Sequence, residues 1–174
     1  SSRLDNLMRV IRTTVESIEP KWISGLKVMT KPPPIVHAVL QMIVHILAGI
    51  SPHVRDPPKD TDWRTCQKMI SHSPTFFANL MEVPDCISSG NVTGVGRARA
   101  IALGYGVQYE EQWSARGIAP HSEAAAALYD FLVHVFTYAD LIEEAEAGIR
   151  SGSRPSTACR ARPKTPDLGK NQSS

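Results

Sequence analysis

Apolar side chains recur at helical spacing from almost the first residue of this chain. Leu4, Leu7, Ile11, Val15 and Ile18 stand three or four apart with Arg, Asp and Glu between them, which predicts a short amphipathic helix over residues 4–18. Its spacing is that of a coiled-coil seam, and its length is too small to hold without a partner. Pro20 and Gly25 are expected to interrupt it. Pro32, Pro33 and Pro34 should stop any continuation and act as a hinge, because a proline lacks an N–H and restricts the residue before it. A helix over Pro34–Ala48 follows, closed by Gly49 and Pro52, since proline is tolerated in a first helical turn. Its polar residues His37, Gln41 and His45 fall four apart, predicting one narrow exposed stripe on an otherwise buried helix.

Shorter helices are expected downstream. One runs Trp63–Ile70, with Asp60 to Asp62 as N-caps; another is "SPTFFANLMEV", with Ser73 as cap and Pro74 in the first turn. The glycine-punctuated "SSGNVTGVGRARAIALGYG" predicts a short helix near Arg97–Leu103, and "YEEQWSARGIAP" a turn or further short helix. The last predicted helix is long, His121 to about Ile149. Leu128, Phe131, Leu132, Val135, Phe136 and Tyr138 form its apolar face, Ser122 is a candidate cap, and the pattern narrows to Leu141, Ile142, Ala145 and Ile149. No segment alternates with the period of a strand. The first helix carries Arg3, Arg9 and Arg12, and the end of the last carries Asp140, Glu143, Glu144 and Glu146, so the two ends are expected to pair antiparallel. The expected fold is all-α: a bundle of about six mostly short helices at the end of a short antiparallel coiled-coil stub.

Charge sharpens this picture. The net charge of +2 divides unevenly: residues 150–174 hold six of the 19 Lys and Arg and one of the 17 Asp and Glu. That leaves 13 against 16, so residues 1–149 are net −3 and the tail is +5. A negative folded part argues against a nucleic-acid binder. The tail is rich in Ser, Pro and Arg and is expected to be disordered. Cys66, Cys86 and Cys159 are sparse and unpaired in spacing, which predicts reduced thiols in a cytoplasmic protein. No signal peptide is expected, and the near-apolar run Ile35–Leu47 is too short to span a membrane. The Asn91-Val92-Thr93 sequon reads as chance in that setting.

No catalytic constellation stands out. "GNVTGVGRARA" has glycines at 90, 94 and 96 but no Gly-Lys-Ser/Thr ending and no preceding strand, so it is a loop ahead of a helix. His37 and His45 are eight residues apart, about 12 Å along a helix at 1.5 Å per residue, and cannot share a metal ion. Glu110–Glu111 and Glu143–Glu144 read as solvated faces, and Trp63, Trp113, Phe76 and Phe77 as core. The chain is expected to be non-catalytic, with no cofactor, metal or small-molecule ligand.

Five pieces, in order, resemble the microtubule-binding head at the stalk tip of dynein heavy chains. They are "SIEPKWISGLKVMTKPPPIVHAVLQMIVHILAGI", "DWRTCQKMI", "TFFANLMEV", "DCI" and "SEAAAALYDFLVHVFTYADLI", spanning about Ser17–Ile149. The resemblance implies a stalk-like helix and connector over 1–30, a helical head over 31–137 and a return stub over 138–149, with the basic tail at 150–174. It also implies that the first, third and final head helices face tubulin, and that any ATPase activity belongs to a motor ring absent from this chain. Where the family often carries Lys in the first head helix this chain has His37, and the acidic partner position is Gln41; two basic positions near the last helix fall on Pro120 and Asp130. The candidate partner-binding residues are His37, Gln41, His45, Arg97, Arg99, Arg116, Asp130 and His134. The implied partner is the microtubule, in the cytoplasmic cytoskeleton or a ciliary axoneme. The alternative is a dynein-derived interaction domain in a ciliary or cytoskeletal scaffold that has lost direct tubulin binding.

Overall fold

The computed structural model describes residues 2–152, and the secondary structure among them is helical, without a strand. The order is α1 (Ser2–Glu16), α2 (Pro20–Lys27), α3 (Pro34–Ile46), α4 (Trp63–Met69), α5 (Ser73–Ser88), α6 (Thr93–Tyr109), a 3-10 turn (Glu110–Gln112), α7 (Ala115–Ile118) and α8 (Glu123–Gly152). The expected disordered tail and Cys159 lie outside the described residues. Two compact units are distinguished, Ser1–Ala139 and the chain from Asp140 on. All packing described below is within the first.

Ile11 and Val15 are the buried residues of α1, and this helix packs on α5. Pro20 does not merely interrupt a helix: it occupies the first turn of α2, where its missing N–H has no helical partner to lose, and Gly25 sits inside that helix. The chain then leaves helical geometry until Pro33, whose carbonyl accepts from the Val36 and His37 amides at 3.0 Å each and starts α3. Gly49 follows α3 with a positive φ of 81°, a conformation that disfavours a side chain.

Nine of the 13 residues of α3 are buried, so it is the central helix of the head, packed extensively against α6 and also against α4. Asp62 caps α4 as expected, its carboxylate accepting from the Thr65 amide at 2.8 Å. In α5 the N-cap is His72 rather than Ser73: its Nδ1 accepts from the Thr75 amide at 3.4 Å. This helix also continues past Pro84 to Ser88. A proline inside a helix forfeits a backbone bond, but Val83, Pro84 and Ile87 are all buried, and that packing offsets the loss. Ser122 does cap the final helix, accepting from the Ala125 amide at 3.0 Å.

Two lengths differ from the sequence expectation. α6 has 17 residues rather than about seven, despite four glycines. By length and composition alone α8 could also cross a bilayer, which the Ile35–Leu47 run could not. Half of that apolar stretch is buried within the protein, as in a core helix.

Candidate functional site

The polar stripe of α3 is not an open face. His37, Gln41 and His45 are each half-buried, and each is engaged within the head. His37 Nε2 donates to the Thr61 carbonyl at 2.9 Å, and its ring meets Trp63 edge-on with centroids 5.6 Å apart. Gln41 Nε2 donates to Thr61 Oγ1 at 3.1 Å, while the Tyr105 hydroxyl reaches Gln41 Oε1 at 3.4 Å. His45 Nδ1 accepts from Arg97 Nε at 3.1 Å. The stripe is therefore a polar seam that receives the 60s loop along its first two turns and α6 along the rest.

Arg97 and Arg99 are likewise half-buried rather than a solvated face. Arg97 reaches Asp56 at 3.4 Å as well as His45, which links α6, α3 and the loop after α3. The acceptor Nδ1 of His45 must be unprotonated for this contact. Burial and the neighbouring Arg97 charge both hold the His45 pKa below the ordinary imidazole value. Arg99 Nη2 donates to the Phe136 carbonyl at 2.8 Å, with its guanidinium 5.1 Å from the centre of the Phe136 ring, and so joins α6 to α8.

α6 comes close to α3 because Gly94 has no side chain. A Cβ there would lie 2.1 Å from the His45 carbonyl oxygen. That absence of a side chain lets the start of α6 lie directly against the end of α3. Beyond it, Tyr105, Tyr109 and Trp113 stack with centroids 5.7–6.2 Å apart, and Trp113 meets Tyr129 edge-on at 5.3 Å. Burial raises the Tyr129 pKa, with Asp130 adding to the shift, and the Tyr129 hydroxyl donates to the Trp113 carbonyl at 3.1 Å.

Of the candidate residues, Arg116 on α7 and Asp130 on α8 are exposed, and His134 is partly so. Asp130 and His134 lie one turn apart on one face of α8. Residues that sequence reasoning missed are Thr61, which anchors the α3 stripe, and Trp63 and Gln67. Trp63 Nε1 donates to the Met29 carbonyl at 2.7 Å, and Gln67 Nε2 reaches the carbonyls of Lys27 and Met29 at 3.0 and 2.9 Å. Their four-residue spacing was the available signal. A threonine in a loop carries none.

No protein-family profile matches the chain. Over 133 residues, 76% of its length, the chain is 26% identical to "Dynein alpha chain, flagellar outer arm" of Chlamydomonas reinhardtii. It spans about 3% of the length of that relative. The match points to a dynein-related region and a cytoskeletal role in general, and its small share of the relative suggests a non-catalytic segment.

Proposed function

We propose that the chain is a non-catalytic microtubule-associating module related to the dynein stalk head. The observation that carries this is the dynein match over 76% of the chain, joined to an all-helical head in which the proline break precedes a buried central helix. Arg116, Asp130 and His134 are the candidate residues left at the surface to meet tubulin, with the basic tail adding attraction to its acidic surface. Microtubule co-sedimentation of the full chain is the test. Salt-sensitive pelleting is expected, and a chain that stays in the supernatant at low salt overturns the proposal.

One observation favours a second function. Five of the eight candidate side chains, including Arg97 and Arg99, already serve contacts inside the head. Few charges are then left for tubulin, as in a dynein-derived domain that grips another cytoskeletal protein. Binding to axonemal extract freed of polymerised tubulin, with no pelleting on microtubules, would distinguish it.

A further inference from the structure

We propose that the outward face of α6 pairs with the same face of a second copy of this chain, the two helices running antiparallel about a two-fold axis. The buried side of α6 is formed by Gly94, Val95 and Ala98. At about 100° per residue, Gly96, Ala100, Leu103 and Val107 lie together on the opposite side, spaced four, three and four, as in a coiled-coil seam. All four are exposed, Leu103 at 74% and Val107 at 75%. From Ala100 to Tyr109 the helix carries no charged residue. A single exposed apolar side chain is ordinary, but an aligned and uncharged row of them marks a contact surface.

The glycines of α6 are of two kinds. Gly94 is required within the chain, since a Cβ there would strike the His45 carbonyl. A Cβ at Gly96 or Gly104 would meet nothing within 4 Å among the described residues, so nothing inside the head calls for glycine at either position. Glycine inside a helix costs stability relative to alanine, and the close approach of another backbone offsets that cost. Beside the seam lies a shallow depression of about 300 Å³ lined by Ala100, Ile101, Gly104, Tyr105 and Gln108. The face therefore presents a hole next to two projecting side chains.

The order of sizes along the seam selects the occupant. The small residues Gly96 and Ala100 come first, and the large residues Leu103 and Val107 follow. With the two-fold axis midway between Ala100 and Leu103, Leu103 of each copy meets Ala100 of the other, and Val107 meets Gly96. Every large side chain then faces a small one, and Leu103 enters the depression beside Ala100 and Gly104. A parallel pair would set like against like, crowding one end of the seam and leaving a gap at the other. The contact is isologous, so each copy supplies both the projections and the hole. Arg97 and Arg99 flank the seam without opposing each other. Their guanidinium groups are drawn to Asp56 and to the Phe136 carbonyl of their own chain.

Two helices touching over about three turns bury less than the roughly 800 Å² per partner of a stable complex, so the dimer is weak, with a Kd of about 10–100 µM. Arg116, Asp130 and His134 stand on α7 and α8, so pairing through α6 and contact with tubulin would draw on different side chains.

Sedimentation equilibrium of the full chain tests this without microtubules, so its result stands whatever co-sedimentation gives. Salt at about 0.3 M screens attraction between the basic tail and a negative head, while apolar association persists. The apparent mass is expected to rise from one chain towards two between about 5 and 500 µM. L103E/V107E changes two side chains already in water and should self-associate at least about tenfold more weakly, as should G96K/A100K. V28E, at an equally exposed valine off the seam, should associate like wild type. Mixed at about 0.1 M salt, L103E/V107E and G96K/A100K should pair more tightly than either does alone, because the antiparallel register sets each new acid against a new base. If charge perturbs α6, the neutral L103Q/V107Q should show the same loss. A wild type that stays monomeric at about 500 µM, equal weakening by V28E and L103E/V107E, or a mixture that pairs no better than its components overturns the inference.

Discussion

His45 can keep its contact with Arg97 only while Nδ1 carries no proton, because the arginine has nothing but donors to offer. Its folded pKa lies below the ordinary value, so the unfolded chain binds the proton first as pH falls. The contribution to stability is therefore intact above the unfolded pKa, about 6.5, and is lost as pH drops from there through the folded pKa. His45→Asn retains an acceptor without titrating. The thermal midpoint of wild type should fall more steeply than that of H45N between pH 7 and 5, and equal slopes would refute the linkage. A second residue-scale expectation concerns Gly94. Alanine there meets a backbone carbonyl that cannot rotate away, so Gly94→Ala should lose about 1–3 kcal/mol in chemical denaturation, whereas Gly96→Ala, with open space, should not. The same residue shows what sequence pattern misses. Glycine at 94 reads as a helix breaker until its neighbour 49 positions earlier is known.

Among the elements, α4 is short yet holds the connector to the rest of the head. Gln67 supplies a donor to the Lys27 carbonyl at the end of α2 and shares the Met29 carbonyl of the connector with Trp63 Nε1. Gln67→Ala should deprive the Lys27 carbonyl of this donor, while Met29 keeps Trp63 Nε1, and should reduce stability by about 1 kcal/mol, measured by denaturant unfolding; Gln67→Glu should be no better because it removes the donor. The helices legible in sequence were those whose start or face is locally written. Asp62 and Ser122 announced their caps, and the apolar run after Pro34 announced burial. The lengths of α5 and α6 were not legible, because Pro84 and four glycines oppose a helix locally and only packing overrides them.

For the molecule as a whole, the negative head and positive tail set the expectation for binding. If tubulin is the partner, a version ending at residue 152 should pellet with microtubules less than the full chain at low salt, with the difference closing as salt rises, since tail attraction is screened over a Debye length. Equal pelleting at every salt concentration would place the binding wholly in the folded part. The sequence by itself determined the helical class, the break at Pro32–Pro34, the burial of α3 and the segregation of charge, because each follows from chemistry within a few residues. Tertiary structure alone decided that His37, Gln41, His45, Arg97 and Arg99 hold the head together instead of facing outward. Their partners are Thr61, Tyr105, Asp56 and Phe136, residues 20 to 64 positions away, and no local pattern encodes which polar group will meet another across that distance.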